Sequence, residues 1–318
     1  MIKILGQYLI IIPILLVLSI LGCKNSVSPY DPVADQNNIP WSRITSGKIA
    51  YSQQVYTDQI INFLFEMNSG TKQLKVLNRN SLYQFSYLTW SNDGSHITFV
   101  DYDDTGAYLE LFNIDSNGTN IAYVYPDTIS HSYPSWSNDG RLAYWTNSYN
   151  FPSGISINGS PFFNSSICNL SRAAWSPDNK YLVVSMRDST SQGALYKVNI
   201  SNKTYSPLLE GTGIDSVNGS LIIFDQPQFS PDGSQIVFAK WGYSLANQSE
   251  IWIMNSDGTN LRRITSGSYD INPVWSPDGT EILFERSGSP DNLFIINVDG
   301  SNLAQVTKNG GSYPSWTK

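Results

Sequence analysis

The chain has 318 residues, of which 14% are charged and 13% aromatic, with a net charge of −7 and an isoelectric point near 4.8. So little charge beside 19 Tyr and 9 Trp excludes an intrinsically disordered chain, and the acidic balance excludes a basic nucleic-acid footprint. Two Cys and two His leave no disulfide framework, no Cys-x-x-Cys zinc motif and few ligands for a His-based metal site.

The first element in chain order is an apolar run, Leu9 to Leu21, behind the basic Lys3. It is shorter than the roughly 20 residues a membrane span needs and suits the apolar region of a secretory signal. It ends in Ile20-Leu21-Gly22-Cys23, which resembles the lipobox of bacterial lipoproteins. That resemblance implies residues 1–22 as a cleaved signal peptide and Cys23 as the lipid attachment site. Lys24 in the next position leans toward the outer membrane under the sorting rule of enteric bacteria. Residues 23–44, rich in Ser, Asn, Asp and Pro, read as a flexible tether. Cys168, in the run Ile167-Cys168-Asn169-Leu170, reads as a small buried hydrophobe.

From residue 45 onward the chain repeats. Length alone suggests about two domains, but one motif recurs throughout: an aromatic, Ser, a Pro or Asn, Asp, then Gly or Asn. Its copies begin at Trp90, Trp136, Trp175, Phe229 and Trp275, and a partial copy, Trp316-Thr317, stands at the end. The aromatics lie 39 to 54 residues apart, the period of a four-stranded propeller blade. Within each unit the aromatic sits on a first strand. Ser-Pro-Asp-Gly then makes a tight turn, with φ fixed by Pro, hydrogen bonds accepted by Asp and positive φ taken by Gly. A second strand follows, as in Glu281 to Glu285, and a third, as in Asn292 to Ile296. A turn such as Asn297-Val298-Asp299-Gly300 leads to a fourth strand, Leu303 to Thr307.

These units are similar to the six-bladed propeller repeats of TolB-like proteins, over about residues 45–318. The resemblance implies an all-β fold: a six-bladed β-propeller of four-stranded antiparallel blades. Five blades start near residues 87, 133, 173, 226 and 272. The sixth is composite: Ser312-Tyr313-Pro314-Ser315-Trp316-Thr317 nearly duplicates Ser132 to Ser137, and should pair with Gly47 to Ser52 and close the first blade. Closure leaves no long unpaired edge.

Catalytic constellations are not found in the sequence. There is no Gly-x-Ser-x-Gly elbow, and His96 reads as a solvent-facing residue at a strand start. Asp101, Asp103 and Asp104 lack the spacing and closing Glu of an EF-hand and read as a solvated hairpin tip. The recurrent Asp-Gly aspartates read as turn formers. No catalytic residue, metal or cofactor is assigned. The residues ahead of the inner strands, Tyr87, His131, Tyr133, Asp225, Asp270, Asn272 and Tyr313, are expected to form a partner-binding rim at the mouth of the central channel. The reading is a monomeric, lipid-anchored, non-catalytic propeller of the bacterial cell envelope that binds a protein or peptide and no nucleic acid. A lyase- or lactonase-type propeller enzyme and a glycan binder are the alternatives.

Overall fold

Every blade begins where a short strand enters the ring at the channel and is followed by strands stepping outward. In the computed structural model the described residues are 31, 33–56, 59–127, 129–148, 151–164, 169–187, 193–210, 214–215, 220–242 and 248–318. Cys23 and Cys168 both lie outside them. Blade 2 is Ser86–Trp90, His96–Tyr102, Leu109–Asp115 and Ala122–Tyr123. Blade 3 is Ser130–Trp136, Leu142–Ser148, Phe151–Ile157 and Ser160–Asn164, and blade 4 is Asn169–Trp175, Tyr181–Arg187, Gly193–Asn199 and Tyr205–Glu210. Blade 5 comprises Ser220–Phe229, Gln235–Gly242, Ser249–Asn255 and Arg262–Arg263, and blade 6 comprises Asp270–Trp275, Glu281–Arg286, Asn292–Asn297 and Ala304–Gln305. All pairings within blades are antiparallel. Blade 5 differs from the four-stranded expectation: the two-residue strand Ile214–Asp215 pairs with Ser220 and Leu221, on the extended start of its inner strand.

Blade 1 is composite. Ser312–Thr317 pairs antiparallel with Lys48–Tyr56, with Lys48 opposite Thr317 and Ile49 opposite Trp316. Ile60–Asn68 and Gln73–Asn80 complete it. The two ends of the propeller thus share one sheet, and the ring is closed by strand pairing within blade 1.

The core lies between blades. Leu182, Val184 and Met186 pack toward blade 3, whereas Val183 on the same strand packs toward blade 5. Ile236 and Phe238 face blade 4, and Val237 and Ala239 face blade 6. Second strands are therefore apolar on both sides, because each side of a blade meets a neighbour. The repeated aromatic fills the same seams. Trp90, Trp175, Phe229 and Trp275 are buried, and three wedge indoles donate across to the preceding blade: Trp175 to the Ser135 carbonyl at 3.1 Å, Trp275 to the Gln228 carbonyl at 3.1 Å and Trp136 to Thr98 Oγ1 at 2.9 Å. Truncating such a side chain to Ala costs about 3–5 kcal/mol.

The Ser after the aromatic explains the turn. Its hydroxyl donates to the Asp two residues on, at 2.5–2.7 Å in all five full copies. It accepts the amide that opens the next strand, such as Tyr181 N at 3.0 Å and Gln235 N at 2.9 Å. Hydrogen bonds from Ser91 and from Ser95 hold the Asp93 carboxyl well below the ordinary range, and Ser230 does the same for Asp232. These aspartates are turn formers.

The propeller unit spans Val33–Lys318. Ile39 and Ile44 are buried in it, and Arg43 reaches blade 6, donating from Nε to Glu281 Oε1 at 2.6 Å and from Nη2 to Asn297 Oδ1 at 3.0 Å. Gln36 in the short 3-10 helix Ala34–Asn37 donates to the Lys72 carbonyl of blade 1 at 2.9 Å. The segment 33–44, read from sequence within the tether, is thus built into the propeller unit. Its polar composition hid the two buried isoleucines. Among the described residues no helix is long and apolar enough to cross a membrane.

Gly47 marks the closure. Its φ is +74°, and a Cβ there would stand 1.8 Å from the Thr317 carbonyl oxygen. Gly47→Val should destabilise the ring by about 2 kcal/mol or more, from backbone strain and the clash with the closing strand. Removing residues 312–318 should lower Tm further, since blade 1 loses its inner strand. Thermal melts of both variants check this; an unchanged Tm for the truncation would disprove closure through blade 1.

Candidate functional site: the channel ring

All six inner strands carry a register shift at one place: between Ser86 and Thr89, Ser132 and Ser135, Leu170 and Ala173, Asp225 and Gln228, and Ile271 and Val274, and opposite Ala50 and Ser52 for the closing strand. Each shift is a bulge, which inserts one residue and turns its side chain off the ladder. The inserted residue lies three before the wedge aromatic: Tyr87, Tyr133, Arg172, Gln226, Asn272 and Tyr313. Five of them have φ between 50° and 59°. For tyrosine this left-handed conformation costs about 1–2 kcal/mol, so the packed ring maintains it against local preference. In four blades Pro follows directly (Pro134, Pro227, Pro273, Pro314), a residue that suits a bulge because it has no amide to leave unpaired.

These six side chains converge on the axis. Tyr87 meets Tyr133 edge-on at 4.6 Å and Tyr313 at 4.8 Å between ring centroids. The Arg172 guanidinium lies over Tyr133 at 4.5 Å and Tyr87 at 4.9 Å, and its Nη1 donates to Asn272 Oδ1 at 3.0 Å. Asn272 in turn donates from Nδ2 to Glu285 Oε2 at 2.9 Å, and the Tyr313 amide donates to the same oxygen at 3.0 Å. The Asn272 amide donates to Gln226 Oε1. Burial pushes the buried Glu285 carboxyl up. Burial also pushes the Tyr133 phenol up to about 12, with Arg172 opposing and Tyr87 and Asp225 adding to the shift.

The ring floors a cavity of about 330 Å³ on the propeller axis. Its walls come from the six inner strands, running from the ring through the wedge aromatic to the Ser-Pro turn, as in Thr89 to Asn92 and Gln228 to Pro231. Among the described residues none before the ring position lines it. The cavity therefore lies on the side of the Ser-Pro-Asp-Gly turns, not at the start of the inner strands.

That geometry sorts the rim residues read from sequence. Tyr87, Tyr133, Asn272 and Tyr313 come together around the axis. His131, Asp225 and Asp270 stand one or two residues earlier, outside the cavity lining. Asp270 is fully buried and takes Arg286 through two bonds, Nε at 2.6 Å and Nη2 at 2.9 Å. Asp225 is 5% exposed and accepts the Gln226 amide at 2.8 Å, at the bulge itself. His131 is 1% exposed, packs edge-on against Tyr144, and has Nδ1 3.0 Å from Glu110 Oε2 and Nε2 3.4 Å from Asp127 Oδ2. Ligand atoms of Glu110, Asp127 and His131 lie within 4.8 Å of one another, the spacing of a metal-binding group, but both imidazole nitrogens already face a carboxylate. His96 is not solvent-facing: its ring meets Trp136 of the next blade at 5.1 Å, and burial pulls it below the usual histidine range. Arg172 and Gln226 are ring members that the sequence reading missed. Their signal was the offset of three from the wedge, masked because neither is aromatic.

Fold and ring together define a six-bladed β-propeller with a walled cavity on its axis. The TolB beta propeller domain model matches residues 217–318. The chain is 26% identical over 285 residues to the Tol-Pal system protein TolB of Francisella tularensis subsp. mediasiatica, covering 86% of this chain and 57% of that protein, and the match to its subsp. holarctica counterpart has the same extent. The chain thus spans little more than half the length of these curated relatives. Among solved structures, TolB from Acinetobacter baumannii superposes with a TM-score of 0.67 at 17% identity, over 86% of this chain and 67% of that one. The putative TolB from Agrobacterium tumefaciens gives 0.62 at 20%, over 84% and 91%. The chain is a six-bladed β-propeller similar to that of TolB.

The raised Tyr133 phenol has a consequence at high pH. The folded state holds this proton more tightly than the unfolded chain, whose tyrosines titrate near 10. The associated stability is present below pH 10 and is lost as pH rises through about 12. Melting temperature should fall across that window, and less steeply in Tyr133→Phe. Parallel curves for the two proteins would refute the assignment.

Proposed function

We propose that this chain is a non-catalytic β-propeller of the bacterial cell envelope, lipid-anchored through Cys23, that binds a protein or peptide partner in its axial cavity. The observation that carries the reading is the ring itself: one residue per blade, five of six in strained backbone, aimed at a cavity large enough for several side chains. Strain of this kind clusters at functional sites. Tyr and Arg are the residue types that dominate binding hot spots. The Tol-Pal designation of the relatives supports an envelope setting and a protein partner, and the signal-like run before Cys23 supports export. Tyr87, Tyr133, Asn272 and Tyr313, with Arg172 and Gln226, are the contact residues of this reading. His131, Asp225 and Asp270 act behind them by holding the inner strands.

A photo-crosslinking side chain tests the face. Asn138 is exposed and lines the cavity, whereas Tyr205 is exposed on the outer strand of blade 4. In native envelopes, a crosslinker at Asn138 should give one discrete adduct that the same group at Tyr205 does not. The opposite pattern would move the binding face to the blade edge.

The anchor is tested separately. Cys23→Ser should abolish labelling by a clickable fatty-acid analogue and shift the chain from the membrane to the soluble fraction. An unlabelled wild-type chain would remove the anchor from the model of function.

A further inference from the structure

The axial cavity differs in charge from the rest of the molecule. The chain carries a net charge of −7, yet among the described residues no Asp or Glu side chain lines the cavity. Its charged side chains are Arg172, at the ring, and Lys318, at the turn side. Among the described residues no carboxylate forms an ion pair with Arg172, and the buried Glu285 interacts with it at longer range. Two tyrosine faces flank its plane and Asn272 accepts from Nη1, while Nε is buried with no hydrogen-bond partner among the described residues. The nearby carboxylates are engaged behind the ring. Glu285 takes Asn272 and the Tyr313 amide, and Asp225 takes the Gln226 amide; both are at most 5% exposed. Burial raises the Glu285 carboxyl, with hydrogen bonds from the Tyr313 amide and Asn272 and the charge of Arg172 opposing. A stacked guanidinium keeps its donor edge available for a carboxylate, and a buried donor without an acceptor is costly unless a ligand supplies one.

We propose that the group entering the axial cavity is a carboxylate, recognised by Arg172, so that the bound segment is an acidic one. This rests on the reading that the cavity takes a protein or peptide, and it adds the chemistry of the occupant. Tyr87 and Tyr133 act as positioning residues that hold the guanidinium plane.

The test uses the full chain and three probes: acetyl-Gly-Glu-Gly-amide, acetyl-Gly-Gln-Gly-amide and succinate. Each is titrated while tryptophan fluorescence and ligand-observed NMR are followed. The Glu peptide should bind at least tenfold more tightly than the Gln peptide. That ratio should collapse toward one in Arg172→Gln and persist in Lys318→Gln. If Arg172→Gln melts at a much lower temperature, Arg172→Lys serves instead: it keeps the charge, loses the planar fork and should lose several-fold in discrimination. Equal binding of the two peptides overturns the carboxylate assignment and leaves the peptide reading standing. Arg172-dependent binding of succinate with neither peptide bound upholds the carboxylate and removes the peptide reading. Silence from all three probes, or discrimination that survives both Arg172 variants, overturns the inference.

Discussion

The seam between blades is the constraint on which everything else depends. Each blade is too thin to bury its own apolar residues, so its second strand is hydrophobic on both sides and is satisfied only with a neighbour on each side. The wedge aromatic fills the inner part of that seam, and its indole nitrogen reaches the preceding blade. A ring built this way is cooperative: removing one blade exposes two seams. The composite first blade meets the same demand at the chain ends, where a shared sheet replaces what would otherwise be two open edges.

The inner strands serve two purposes at different residues. The wedge and the Ser-x-Asp turn keep nearly the same chemistry in every copy because each fills the same place between two blades. Even the exception follows the rule: the copy in blade 4 has Asn179 where the other full copies have Gly, and Asn179 takes a positive φ of 60° as well. Three residues before the wedge, the bulge turns one side chain toward the axis, away from any seam. There the six blades diverge into Tyr, Tyr, Arg, Gln, Asn and Tyr. A position freed from packing carries the individuality of the propeller, and the cavity it floors is the part of the fold that distinguishes one such ring from another.

Recurrence made the fold legible. The aromatic-Ser-x-Asp spacing, the alternating turns and the copy of Ser132 to Ser137 at the chain end were enough for blade number, strand order and closure, because each depends on local pattern and on a repeat visible in one dimension. The same pattern identified the wedge and marked the recurrent Asp-Gly aspartates as turn formers. Half of the ring, the three tyrosines, was also visible as aromatics ahead of inner strands, and Asn272 with them.

The remainder required the ring to be closed in space. His131 and Asp270 look like rim residues in the sequence, but they occupy a position where other blades place Phe85 and Phe224, so they are buried and paired with Glu110, Asp127 and Arg286. Arg172 and Gln226 look unremarkable in one dimension because neither is aromatic and the residues around them differ. The meeting of Arg172 with Tyr87 and Tyr133, and of Gln226 with Asn272, depends on the bulge, which changes which face a residue presents, and on partners distant in the chain, such as Arg172 and Asn272 100 positions apart. Periodicity in a chain determines which blade faces pack together; which side chains meet on the axis is decided by a one-residue bulge and by the closure of the ring, and neither is a local property of the sequence.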